Sequence, residues 1–203
     1  MDFSIPMALT DYIPVVCFAI AAIVFLRAFH NKMSAAAFAL FATGVIDVTC
    51  AGALKATYKL LYAANVCDFQ PLSAIFFPVQ SLGFLFAGMG MLLMLVQKKK
   101  VALSMAAPAL FTGTFVFVGL MVAGLGVMDT VFCILCKKLK KNRVMVLFIV
   151  SFLCSLCMGY LSSQDFAEAA MNWIAQSVNI VGQGCFLAGA LCLRKAGLSK
   201  LEL

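Results

Sequence analysis

Apolar residues fill long unbroken runs of this chain, and polar residues collect in short clusters between them. The runs lie at about 12–29, from about 33 to beyond Ala53, and at about 72–96, 103–136, 144–161 and 168–193. Runs near 20 residues, wound as α-helix, match the roughly 30 Å hydrocarbon core of a bilayer. The first closes at Arg27-Ala-Phe-His30-Asn-Lys32, and the second carries on as an amphipathic extension through Lys55, Tyr58, Lys59 and Tyr62. Pro71 opens the third, which Lys98-Lys99-Lys100 close. Lys137 to Arg143 close the fourth run, and Arg194-Lys195 end the last.

The fourth run decides the helix count. As one helix, its roughly 34 residues would extend about 50 Å at about 1.5 Å each, well beyond the core thickness. As a hairpin it supplies two short helices, with a turn in Gly119-Leu-Met-Val-Ala-Gly124-Leu-Gly126. The pattern therefore predicts an all-α integral membrane protein with seven transmembrane helices. Charge favours the same count. With the hairpin, 13 of the 15 basic residues fall on one side, while Asp2, Asp11, Asp68, Asp165 and Glu168 fall on the other. Basic clusters mark cytoplasmic ends, so the N-terminus is expected outside and the C-terminus in the cytoplasm, in a plasma (inner) membrane.

Composition narrows the class further. Of 203 residues, 65% are hydrophobic and 11% charged, with a mean hydropathy of +1.08. Soluble domains average about 45–50% apolar and about 25% charged residues. The chain is expected to be one polytopic membrane domain over 1–203, with the lipid bilayer as its first partner. The net charge of +7 is read as topology and not as a nucleic-acid surface. Met1 to Pro14 has two aspartates and no basic residue, so the first run is expected to be a retained helix and not a cleaved signal. Most of the nine cysteines lie in apolar runs and read as small hydrophobes. Cys67 is the exception, in an outer loop.

Two halves of the chain echo each other. Val79-Gln80-Ser81-Leu82 followed by Phe86-Ala87-Gly88 parallels Ala175-Gln176-Ser177-Val178 followed by Leu187-Ala188-Gly189. Cys50-Ala51-Gly52-Ala53-Leu54 parallels Cys157-Met158-Gly159-Tyr160-Leu161. With seven helices this suggests repeats over 12–96 and 119–195, as two three-helix bundles joined by helix 4. In that layout the chain resembles the SWEET sugar facilitators and the PnuC vitamin-precursor transporters, and the resemblance implies a transporter built of parallel repeats. The Pro-Gln dipeptide of the PQ-loop families is missing from the first and fifth helices, and no functional residue is carried over.

Ionisable and amide groups inside a bilayer are functional candidates because each costs free energy there. Asp47 in the second helix and Asp129 in the fifth qualify. The last helix carries Gln176 and Gln183 within about 20° of one another, flanked by Trp173 and Asn179. Gln80 is the repeat counterpart of Gln176. Amides donate and accept at once, which suits a neutral or zwitterionic solute. Asp47, Gln80, Trp173, Gln176, Asn179 and Gln183 are therefore the expected lining of a substrate pathway, with Asp129, Lys55 and Tyr58 as secondary candidates. The bland alternatives are interhelical glue for the amides and snorkelling for Lys55. Cys133/Cys136 and Cys154/Cys157 have C-x-x-C spacing but different expected depths. No metal site or cofactor is expected from them. A single histidine, His30, rules out paired-histidine sites, and its place in a basic loop speaks against a Ser-His-Asp triad within the chain.

The function expected is a transporter or facilitator of a small polar solute, with no catalytic residues. Two alternatives remain at this level. One is a sensor or accessory subunit that pairs with another membrane protein or with its own copies. The other is a lipid-modifying enzyme using Asp47 and Asp129 as an acid pair.

Overall fold

The computed structural model describes residues 4–96, 114–161 and 169–201. Within them the elements are α1 (Ile5–Thr10), α2 (Tyr12–Phe29), α3 (Ala35–Ala63), α4 (Pro71–Ala74), α5 (Phe76–Val96), α6 (Thr114–Lys138), α7 (Asn142–Leu161) and α8 (Ala169–Lys195), then a 3-10 turn at Leu198–Lys200. No strand occurs among the described residues. Six helical segments there are long and apolar enough to cross a membrane, counting α1 with α2 and α4 with α5.

Local sequence explains the ends and breaks. Ser34 caps α3 by accepting from the Ala37 amide at 3.3 Å. Pro14 has no N–H to offer the Thr10 carbonyl, and the chain breaks at Asp11 between α1 and α2. Pro78 stands in the same relation to the break at Ile75 between α4 and α5. Asn65 and Lys140 take positive φ after α3 and α6. There Val66 N–H donates to Leu61 O and Lys141 N–H to Cys136 O, closing each helix with its terminal carbonyls satisfied.

The long helices form a ring. Each of α2, α3, α5, α6, α7 and α8 packs on the next, and α8 returns to α2. Named contacts set the directions. Val15 against Gly52 and Phe29 against Phe41 make α2 and α3 antiparallel. Gly44 lies on Gly83 and Ala87 while Gly90 lies on Ala37 and Phe41, so α3 and α5 are antiparallel. Phe132 on Phe148 with Val118 near Gly159 gives an antiparallel α6 and α7, as Phe148 near Gly189 with Cys154 near Gly182 does for α7 and α8. Thr10 against Gln176 and Phe18 against Phe186 make α2 and α8 parallel. It follows that α5 and α6 run the same way as α2. Val96 and Thr114 therefore lie at opposite ends of the ring.

The expected turn at Gly119 to Gly126 is absent. Helix α6 continues from Thr114 through all three glycines to Lys138. Glycine need not break a helix in lipid, because no water is available to the hydrogen bonds a break would free. Gly124 serves packing instead. Of the expected seven helices, six spans occur among the described residues. The apolar residues 103–113, assigned above to the fourth helix, lie outside them, as do Lys98 to Lys100, Asp2, Asp165 and Glu168.

Charge divides the two ends. All described lysines and arginines except Lys55 and Lys59 belong to the helix ends and turns at the Phe29, Lys138 and Lys195 end. There the Lys32 ammonium donates to the Leu201 carbonyl, tying the α2–α3 turn to the C-terminal segment. Asp11 and Asp68 sit at the other end, where Tyr58 OH donates to Asp68 Oδ1 at 3.1 Å.

The tightest interfaces are backbone on backbone. A Cβ on Gly44 would stand 2.4 Å from Ala87 N and Gly83 O, and one on Gly124 would stand 2.4 Å from the Phe84 carbonyl. A Cβ on Gly119 meets nothing within 4 Å. Gly124→Ala should therefore destabilise the protein by at least about 2 kcal/mol, whereas Gly119→Ala should change stability by less than about 0.5 kcal/mol. Thermal unfolding of the purified variants in one detergent reads the difference, and equal effects would sink the seam as a stability determinant.

Candidate functional site

Six helices in a ring leave a centre that side chains must fill. Toward the basic end, phenylalanines fill it. Phe132 is fully buried and stacks on Phe25 (ring centroids 4.4 Å apart) and on Phe148 (4.8 Å). Phe186 packs on Phe18, Phe25, Phe132 and Phe148. Phe84 joins through Phe18 at 5.9 Å, and Phe29 continues the stack from Phe25 to Phe41. Edge and stacked geometries of this kind hold rings firmly. On α2 the signal was legible as Phe18, Phe25 and Phe29 at i, i+7 and i+11, one helix face. The sequence reading did not use it.

Toward the acidic end, the centre is a cavity of about 160 Å³. That is far above the roughly 10–15 Å³ that admits one water, so a small solute fits. Its wall takes residues from every helix of the ring. Phe18 and Phe84, with Met121 and Leu125 of α6, form its floor, directly on the phenylalanine stack. Gln80, Gln176, Asn179 and Gln183 all line it. By the contacts that set the helix directions, Gln183 on α8 lies at roughly the depth of Gln80 on α5. Asn179 lies about one helical turn nearer the mouth. Asn172 of α8, Ser155 of α7 and Thr49 of α3 add further hydrogen-bonding groups.

Among the described residues, the polar groups Gln176 and Gln183 differ in how far they are satisfied. Gln176 is 4% exposed, and its Nε2 donates to Thr10 Oγ1 at 3.3 Å. Gln183 Oε1 is buried without a hydrogen-bond partner among the described residues. A carbonyl oxygen in that state costs about 1–3 kcal/mol unless something enters the cavity to donate to it.

Charge gathers at the mouth. Lys59 Nζ lies 2.5 Å from Asp11 Oδ2, which joins α3 to the α1–α2 break. One turn deeper on α3, Lys55 lines the cavity with its Nζ 3.9 Å from the Phe76 ring centroid and 5.6 Å from that of Phe77. No carboxylate of a described residue is in ion-pair contact with Lys55.

Several expected site residues stand elsewhere. The lining face of α3 is Val48, Thr49, Gly52, Lys55, Ala56 and Lys59. Asp47 precedes it by one residue, about 100° around the helix, and stays out of the cavity wall. Trp173 is 42% exposed on the outside of α8, and Tyr58 engages Asp68. Asp129 also lies outside the wall. Taking Gly124 as level with Gly44 through their shared α5 neighbours, Asp47 and Asp129 are offset by eight residues, roughly 12 Å along the axis. Helix α5 stands between their helices, so they form no acid pair. Asp11, Lys59, Asn172 and Thr10 were the partners the sequence reading missed. Among the described residues no group of three or more His, Cys, Asp or Glu is placed to hold a metal ion.

The sequence matches no protein-family model, no curated protein and no solved structure.

Water access to the wall is testable by thiol labelling after the native cysteines are replaced. Asn179→Cys and Gln183→Cys should react with a small charged thiol reagent at least ~10-fold faster than Val181→Cys on the lipid face, since the reactive thiolate forms only where water reaches it. Equal rates at the three positions would mean that no hydrated cavity exists.

Proposed function

We propose that this protein is a transporter or facilitator of a small polar solute, with the central cavity as its binding station. One observation carries the reading. Amides gather in a cavity on the acidic side of the ring, with stacked phenylalanines closing the side toward the basic end. A solute entering from the acidic end would exchange water for Gln80, Asn179 and Gln183. Passage would then require the phenylalanine stack to part while the mouth closes, the alternation expected of a carrier with one central site. The polarity of the site also supports binding over mere helix–helix adhesion, because interhelical glue would leave its amide oxygens paired.

The parallel run of α5 and α6, which leaves Val96 and Thr114 at opposite ends of the ring, supports seven crossings. That count would put the termini on opposite sides, and the basic clusters favour the C-terminal side as the cytoplasmic one of a plasma membrane. A reporter that fluoresces only in the cytoplasm should be active when fused after Leu201 and dark when inserted at Asn65. Activity at both sites would remove this topology.

Transport is tested with purified protein in sealed liposomes. A panel of small solutes (sugars, amino acids, nucleosides, carboxylates) is first screened for thermal stabilisation, then for uptake. At least one solute should stabilise the protein and enter liposomes, and Gln183→Leu should weaken its binding about 10-fold, the effect of losing one or two buried hydrogen bonds. Stabilisation without uptake would favour a receptor over a carrier. A folded protein that neither binds nor moves any of them would overturn the proposal.

A further inference from the structure

The cavity is polar, but it is not electrically neutral. Among the described residues, its charged wall groups are Asp11, Lys55 and Lys59. Asp11 and Lys59 are in ion-pair contact, with side chains only 13% and 15% exposed, so the carboxylate is already engaged by an ammonium. Lys55 is left as the excess charge. Among the described residues, the rings of Phe76 and Phe77 are the groups that hold it, on one side of the ammonium. A cation over a ring is attracted to its face, and the contact fixes where Nζ stands without using up its three donors. An ammonium held this way inside a membrane protein is costly unless an anion comes to it.

From Lys55 inward the wall changes character. Asn179 lies at about the same depth, Gln80 and Gln183 lie a turn deeper, and the floor is Phe18, Phe84, Met121 and Leu125. A guest therefore meets one positive charge, then amides, then an apolar floor. A cation would be repelled by Lys55. A zwitterion would bring an ammonium that finds no uncommitted carboxylate among the described wall residues. A dianion would carry a charge the cavity does not balance.

Building on the solute-binding reading above, we infer that the cavity selects a small organic monoanion, with its carboxylate seated on Lys55 and its hydroxyl or amide groups on Gln80, Asn179 and Gln183. The Asp11–Lys59 pair then acts as the charge filter at the mouth. Among the described wall residues it holds the net charge at one positive unit, and Asp11→Asn would raise it.

The test uses the full-length protein in nanodiscs and solutes of one skeleton with different charge: lactate, lactamide, alanine and malonate, with inorganic phosphate to separate an organic guest from a simple anion. Binding is read by calorimetry. Lactate should bind at least ~10-fold tighter than lactamide, alanine or phosphate, the scale of one charge-assisted hydrogen bond. Lys55→Met should abolish that preference and Lys55→Arg should keep part of it. Asp11→Asn should improve malonate binding by about 10-fold or more relative to lactate. It keeps the test decisive if Lys55→Met fails to fold. Should lactamide or alanine bind as well as lactate, the monoanion inference falls while the solute-binding reading stands. Phosphate binding as tightly as lactate would show an inorganic anion site and overturn the organic guest. Binding of none of these while another solute of the wider panel binds also removes only the inference. If nothing in either set binds, both readings fall.

Discussion

The structure depends on how closely α3, α5 and α6 approach one another. In lipid there is little hydrophobic force between helices, and association rests on packing and hydrogen bonds. Gly44, Gly83, Gly88, Gly90 and Gly124 remove the side chains that would keep these backbones apart. The three helices consequently form a slab with no room to close further. Helices α2, α7 and α8 pack through larger groups, such as Phe18, Phe148 and Phe186. They complete the ring around a centre that the slab cannot close by itself.

What fills that centre differs along the axis, and the difference creates the site. Phenylalanines can tile a cylinder between helices because each ring offers a broad face and edge to its neighbours. Amides cannot. Each brings donors and acceptors that need partners, and Gln183 Oε1 has none among the described residues. The half of the ring that carries amides therefore keeps space for water or a guest, while the other half is sealed. The breaks that precede Pro14 and Pro78 fall in the cavity half. The first places Thr10 against Gln176 and Asp11 against Lys59.

The candidate residues show where sequence reasoning reaches its limit. The amide stripe on the last helix was legible because Gln176, Asn179 and Gln183 recur at helical spacing in an apolar run. Gln80 followed from its echo in the other half. Asp47 looked the stronger candidate than Lys55, since it lies deeper in its run. Yet Lys55 faces the cavity, and Asp47 lies one residue off the lining face. A single residue is about 100° of helix rotation, enough to move a side chain from the pathway to a helix flank. Depth can be counted from a helix end, but rotation depends on which neighbours the helix meets.

By itself the sequence determined the class of the protein, the length of most spans and the segregation of charge. Each of these follows from a local or summed quantity: 20-residue apolar runs, few charges, and basic clusters at chosen run ends. Only the tertiary structure decided that the glycines of α6 pack instead of turning, that six helices form a ring, and which wall residues share its cavity. The reason is physical. In a soluble helix the buried face is apolar and the other polar, so periodicity reveals orientation. In a bilayer both the lipid face and the packed face are apolar, the periodic signal fades, and contacts between residues distant in the chain, such as the glycine seams of α3, α5 and α6, set the rotation of the helices.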